Sequence, residues 1–268
     1  MFVLYIIRDR MKKPKLTVVS PNKNRMKVGS PATELFLKSL QWQDDKNFEV
    51  IIVDGMSDNN KELKKYLESY NGDINIKVIT RKVEADPFPK CLLNNIGIRN
   101  SETDYVMTTD VDIAFGREFM TGLMGQLQLN IFSESRALYW KPGIANKIYQ
   151  GEVDLYNDID SCKIGRIKKR TTPGACQCMH IEQWNKLRGY DESYVGWGSE
   201  DMDLYKRALK MNLQVMWMGE SRDSIMAFHQ PHPRNIKRDL EYQKHNKRRL
   251  ANIKGYVVNP DEWGDRKE

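Results

Sequence analysis

Glu49-Val50-Ile51-Ile52-Val53-Asp54 is a continuous apolar run that ends on a carboxylate. A strand with one wet face alternates apolar and polar residues, whereas an unbroken run rich in β-branched residues suits a strand covered on both faces. Such strands belong to parallel sheets flanked by helices, and the flanking sequence has the alternation this requires. Upstream, Leu16-Thr17-Val18-Val19-Ser20 reads as a strand, followed by a polar loop and a helix carrying Leu35, Phe36 and Leu40. Downstream, Leu63, Tyr66, Leu67 and Tyr70 share one face of a helix. Ile74, Ile76 and Val78 alternate as a strand, and Pro89 to Arg99 reads as a helix opened by a proline, whose missing N–H costs nothing there. Tyr105-Val106-Met107 begins a strand that closes at Asp110. This order predicts an α/β fold with a mainly parallel central sheet and helices on both faces.

In open sheets of this kind ligands bind beyond the carboxyl ends of the strands. Two strands end there on acids, Asp54 and Asp110, which places the expected site. The second half is less regular. Residues 141–172 are polar, contain Gly143, Gly151 and Gly165, and show no steady period, so they read as a long, mobile loop or insertion. Regular structure resumes at Gly174, with a helix expected over Glu200 to Met211 and a strand over Leu213 to Met218. The chain is expected to form a single domain over residues 1–268: one half at about 12–140, a second at 173–233, and a basic tail at 234–268.

With 40% hydrophobic and 29% charged residues, the composition suits a soluble globular protein and excludes a collagenous or disordered chain. The apolar run Met1 to Ile7 falls far short of the roughly 20 residues of a spanning helix, and it lacks the features of a signal peptide. Met11-Lys12-Lys13-Pro14 reads as an alternative start before the first strand, so residues 1–10 carry little structural weight in this reading. Cys91, Cys162, Cys176 and Cys178 are scattered, as in a reducing, cytoplasmic setting. Cys176, Cys178 and His180 alternate on one strand face, but no fourth zinc ligand accompanies them, so buried thiols are the favoured reading. The net charge of +7 concentrates in Lys163 to Arg170 and in Lys237, Arg238, Lys244, Lys247, Arg248 and Arg249. Such runs suit a solvated face, an anionic membrane surface, a polyanion or nucleic acid.

Asp110-Val111-Asp112 follows its strand directly, so both carboxylates can reach a hard divalent cation or its ligands. Gly196-Trp197-Gly198-Ser199-Glu200-Asp201-Met202-Asp203 sets an indole between glycines and then acids at a helix start. Helix capping by Ser199 accounts for the acids but not for Gly-Trp-Gly. Met226-Ala227-Phe228-His229 leads into Pro231-His232-Pro233, a segment read as a Pro-rich loop offering ligand candidates.

In this order the three segments resemble the GT-A glycosyltransferases, above all the β-1,4-galactosyltransferase type with its Asp-Val-Asp, Gly-Trp-Gly-Gly-Glu-Asp-Asp-Asp and Met-x-x-His segments. Ser199 stands where that family has a second Gly, and Met202 where it has an Asp. The N-terminal half is more similar to bacterial processive-type, chondroitin polymerase-like relatives: Val19 to Arg25, Val53-Asp54-Gly55-Met56-Ser57-Asp58 and Asn95-Ile96-Gly97 carry that likeness, with Asn94 where Arg is usual. Gly189-Tyr190-Asp191-Glu192 also matches.

The resemblance implies a GT-A fold, Rossmann-like with a smaller acceptor-side subregion. It implies inverting, metal-dependent transfer of a hexose or N-acetylhexosamine from a UDP-sugar to a hydroxyl on a glycan or lipid-linked acceptor, as in polysaccharide biosynthesis. Pro21, Asn24, Arg25, Asp54, Lys90, Asn95 and Asp110 would bind the nucleotide-sugar. Asp112, His229 and Met226, with Asp110, would hold Mn2+ (or Mg2+). Asp201 would be the general base, Glu200 would bind the acceptor, and Trp197 would lie against both donor and acceptor. The expected setting is cytoplasmic, with the basic tail available to an anionic membrane face, and nucleic acid is the least favoured partner.

Two other readings remain open at this point. A sugar-phosphate nucleotidyltransferase would usually show a Gly-rich phosphate loop after the first strand, where Pro21 to Ser30 holds only Gly29. A non-catalytic module binding carbohydrate or nucleic acid would be expected to lose its acids first, yet Asp110, Asp112, Glu200, Asp201 and His229 are all present.

Overall fold

A computed structural model describes residues 2–6, 14–25, 31–58, 60–83, 87–141, 143–154, 163–164, 174–218, 225–230 and 236–264. The expected start at Met11 to Lys13, Gly29 and Ser30 of the first loop, Cys162, Gly165 and the rest of the basic run to Arg170, and Pro231 to Arg234 lie outside these.

The first half alternates as the sequence predicts: β2 (Leu16–Asn22), α1 (Pro31–Gln41), β3 (Phe48–Asp54), α2 (Asn60–Glu68), β4 (Asn75–Thr80), α3 (Lys90–Arg99) and β5 (Tyr105–Thr109). Strands β4, β3, β2 and β5 lie side by side and parallel. Because successive side chains on a strand point to opposite faces, the apolar run of β3 splits between two cores. Val50 and Ile52 join Leu16, Val18, Phe36, Leu40, Leu63 and Leu67. Ile51 and Val53 join Val19, Leu93, Ile96 and Ile98. Burying each such side chain contributes on the order of 1.5–3 kcal/mol. The α3 helix lies close on the second face: a Cβ on Gly97 would stand 2.3 Å from Val19 Cγ1, so only glycine permits the approach.

The N-terminal residues have more structure than their sequence suggested. Phe2–Ile6 forms β1, antiparallel to β4 at the sheet edge, because β4 offers an unpaired ladder there.

The second half supplies β6 (Ile113–Phe115), α4 (Phe119–Gln126), β7 (Ile131–Ser135), β8 (Ala137–Trp140), α5 (Ile144–Tyr149), β9 (Lys163–Ile164), β10 (Cys176–His180), α6 (Ile181–Leu187), α7 (Glu200–Lys210), β11 (Gln214–Met218), β12 (Ala227–His229) and α8 (Ile236–Ala251). The central sheet continues from β5 through antiparallel β10 and β7 to β11, giving the order β1-β4-β3-β2-β5-β10-β7-β11. A second sheet orders β6-β12-β8-β9. Residues 141–172, read from sequence as a loop, contain α5 and β9 among their described part. The segment read as a Pro-rich loop is instead β12, whose ladders to β6 and β8 satisfy its backbone ahead of the prolines.

This topology sets the site. The parallel strands β2, β3, β4 and β5 end on one edge, and antiparallel β10 begins at that edge, Cys176 facing Thr109. Asp110 therefore lies next to the Gly174–Cys176 segment at the sheet's carboxyl end.

Candidate active site

Lys90, the first residue of α3, extends its ammonium into that edge. Its Nζ stands 3.2 Å from Asp110, 3.3 Å from Glu200 and 3.8 Å from Asp201. Glu200 and Asp201 open α7, and Asp110 follows β5, so one cation links both halves of the chain. Burial alone would lower the Lys90 pKa, but the surrounding carboxylates of Asp110, Asp201 and Glu200 raise it well above its ordinary value. Burial lifts Asp201 to about 8, with Glu200 and Asp110 adding to the rise and Lys90 opposing it. Asp201 also presses on Gly174, where an added Cβ would come within 2.8 Å of its Oδ2 and the backbone φ is +135°.

Lys90, Asp110, Gly174 and Asp201 line a cleft with Asn94, Thr108, Thr109, Cys176, Gln177 and Tyr190. Its floor is a bonded polar chain. The Tyr190 hydroxyl lies 2.7 Å from Thr108 Oγ1 and donates to Gln177 Oε1 at 2.6 Å. Gln177 Nε2 donates to Glu134 and to the Asp201 carbonyl. Burial raises Glu134 well above the usual carboxylate range. Among the described residues Glu134 Oε2 has no hydrogen-bond partner, and the bonded part of the chain ends on the backbone of Asp201. Gln177, Glu134 and Gly174 gave no separate signal in the sequence. Cys176 and Cys178 are buried thiols raised by burial, and no cluster of His, Cys, Asp and Glu able to hold a metal is found among the described residues.

Asp112 and His229 meet where β6 and β12 pair, with His229 Nε2 3.7 Å from Asp112 Oδ1. Two ligands each about 2.1 Å from one ion stand at most about 4.2 Å apart, so this pair is spaced to share a small divalent cation, with phosphate oxygens left to complete its shell. Tyr139, unremarked in the sequence, sits opposite His229 on β8, its ring centroid 4.8 Å from the imidazole. Met226 directly precedes β12, the strand of His229. It is 1% exposed and packs with Leu35, Leu138, Trp140 and Phe228 between the second sheet and α1, so its thioether serves the core.

On the β2–β3 side, the buried Asp54 carboxylate accepts from Asn22 Nδ2 and from the Ser57 amide and hydroxyl. Pro21 is buried in β2, Asn24 exchanges hydrogen bonds with Asp58, and Arg25 is exposed. The buried Asn95 side chain bonds the backbone of Tyr190 and the Glu192 carboxylate, tying α3 to the loop before α7. Trp197 is 44% exposed, and Ser199 occupies the α7 N-cap with φ 77° and no side-chain cap bond, unlike the sequence expectation.

Residues 17–130 match the model of glycosyl transferase family 2, and residues 157–230 match the one described as N-terminal domain of galactosyltransferase. A mannosyltransferase from Pyrobaculum calidifontis, in complex with GDP-Man and Mn2+, superposes at TM-score 0.61 and 15% identity, over 94% of this chain and 68% of its own. TarS of S. aureus in complex with UDP gives 0.58 and 17% over 94% and 68%. GalNAc-T7 with UDP, GalNAc and Mn2+ gives 0.60 and 12% over 87% of this chain and 48% of its own. No curated protein matches. The fold is GT-A, and the chain is a glycosyltransferase. Among the described residues no helix is long and apolar enough to cross a membrane.

Proposed function

We propose that this glycosyltransferase moves a hexose or N-acetylhexosamine from a UDP-sugar to a glycan hydroxyl with inversion, Asp201 acting as general base. The observation that carries the reading is the convergence of Asp110, Glu200 and Asp201 on Lys90 at the carboxyl edge of the parallel strands. Asp54 and Arg25 would meet the nucleotide. Asp112 and His229, with Asp110 nearby, fit a divalent cation, Mn2+ or Mg2+; bound there it would neutralise charge developing on the diphosphate. Glu200 and Trp197 would orient the acceptor.

In the transfer step the acceptor oxygen forms a bond to the anomeric carbon as the bond from that carbon to the diphosphate oxygen breaks. The acceptor proton passes to an Asp201 carboxylate oxygen, and the bonding pair leaves on UDP. A base on the face opposite the leaving group gives a single in-line displacement, hence inversion. Lys90 holds Asp201 and Glu200 in register, so the entropy of alignment is met before reaction.

The test is release of nucleoside diphosphate from a panel of UDP- and GDP-sugars, with Mn2+ and with EDTA, for wild type and Asp201→Asn. One UDP-sugar should turn over with Mn2+, stop with EDTA, and fall strongly in Asp201→Asn. Turnover of GDP-sugars alone would overturn the UDP assignment, and full activity in EDTA would overturn the metal.

A further inference from the structure

We propose that Asn246 of α8 is a positioning residue for transfer, holding the Gly196-Trp197-Gly198 loop so that Trp197 and Glu200 face the acceptor. The inference rests on reading those two residues as the acceptor side. Asn246 lies outside both matched family segments, which end at residues 130 and 230.

The loop has a costly backbone. Gly196, Gly198 and Ser199 have φ of +59°, +105° and +77°, a run of left-handed backbone that is unfavourable for serine and entropically costly for glycine. Ser199 adds no side-chain cap bond. Several of the bonds that hold the loop come from α8. Asn246 is 0% exposed, and its amide is committed to the loop. Nδ2 donates to the carbonyls of Val195 at 2.9 Å, Gly198 at 2.8 Å and Trp197 at 3.4 Å, while Oδ1 accepts from the Val195 amide at 3.2 Å. An Asn side chain offers two N–H donors and one carbonyl, and both ends are spent here on one short segment.

The neighbouring side chains of α8 complete the seat. A Cβ on Gly196 would come within 2.1 Å of the Tyr242 ring, so glycine lets the loop lie directly on it. Arg249 anchors the helix by a 2.6 Å bond to Asp191. The tie continues into the cleft: the Gly198 carbonyl is held by Asn246, the Gly198 amide donates to Glu200 Oε2 at 2.9 Å, and Glu200 Oε1 accepts from Lys90. Glu200 beside Lys90 is thus tied to the Trp197–Gly198 peptide, whose Trp197 carbonyl Asn246 reaches, while the same Asn246 amide holds the Gly198–Ser199 peptide that follows.

The test compares wild type, Asn246→Ala and Asn246→Ser, with Glu241→Ala on the exposed face of α8 as control. Asn246→Ala should raise the acceptor KM or lower transfer kcat by about tenfold or more, since misplacement on the ångström scale costs that much. Its donor KM and its acceptor-independent UDP-sugar hydrolysis should change less than the acceptor parameters, because most of the donor contacts are assigned to the other half and Trp197 alone faces both substrates. Asn246→Ser, which keeps one donor, should lie between, and Glu241→Ala should match wild type. If donor and acceptor parameters fall together with the folded fraction, or the acceptor KM and kcat do not change in folded Asn246→Ala, the proposal is overturned.

Hydrogen exchange at Val195 to Ser199 reads the tie without any substrate. Faster exchange in both Asn246 variants, with the sheet amides unchanged, is expected; unchanged exchange overturns the positioning role whatever the activity. A wild type that turns over no sugar nucleotide would sink the transfer reading and leave the exchange result to judge the loop.

Discussion

Asp201 stands between opposed influences: burial, Glu200 and Asp110 favour its protonated form, Lys90 favours the carboxylate, and the balance falls at about 8. A general base must be deprotonated to act, so kcat/KM for transfer should rise with pH along a limb centred near 8 in the free enzyme. Lys90→Met removes the cation that opposes the rise, and that limb should move to higher pH in initial-rate profiles. Stability follows the opposite course. An unfolded Asp titrates near ~3.9, while the folded group holds its proton to about 8. Between those values the folded state binds the extra proton, so stability falls as pH rises through the window and is lowest above it. Asp201→Asn cannot lose a proton. Its Tm should exceed that of wild type at alkaline pH, while transfer drops by about 10²–10⁴-fold. A Tm unchanged at alkaline pH would mean that Lys90 fully offsets the burial of the carboxylate.

The helix that carries Lys90 is set by one glycine. In Gly97→Ala the new methyl would stand 2.3 Å from Val19 Cγ1, and α3 would have to lift from β2. Overpacking of this kind costs about 1–3 kcal/mol, which urea unfolding would read, and transfer should fall with it because Lys90 begins the same helix. A stability equal to wild type would show that Val19 yields instead of α3. Elements such as β3 and α3 were legible in the sequence because each buries a long apolar face with a clear period. The short strands were not: β6 and β12 have three residues each, too few to display alternation. The α8 helix was hidden for another reason. Its inward positions include Tyr242, Asn246 and Arg249, which bond instead of forming an apolar stripe, so the segment read as a basic tail. At the site, residue types and spacing pointed to Asp110, Glu200 and Asp201, and the family resemblance added Lys90; the fold gathers all four. Spacing does not reveal which way a side chain faces, so it could not tell that Asn95 ties the loop or that Met226 packs in the core.

Across the molecule the halves are joined by buried polar ties as well as by the shared sheet. Arg207 of α7 is 0% exposed; its Nε donates to Asp203 at 2.6 Å, Nη1 to the carbonyls of Leu187 and Tyr256, and Nη2 to that of Gly189. One guanidinium thus connects α7, the end of α6 and the segment after α8. Asn259 adds bonds from that last segment to the carbonyls of Arg188 and Tyr190, and Asn95 reaches the same stretch from α3. The segment 187–192 is therefore a junction on which the acceptor-side loop is built. Arg207→Ala would leave Asp203 buried without its cation, a change that costs about 3–5 kcal/mol. Replacing both partners separates the ion pair from the carbonyl bonds: a well-packed apolar pair is often neutral relative to a buried salt bridge, so Arg207→Met with Asp203→Leu should recover much of the urea midpoint lost in Arg207→Ala. A double variant no more stable than the single one would show that the three carbonyl bonds, and not the pairing with Asp203, are what the junction needs.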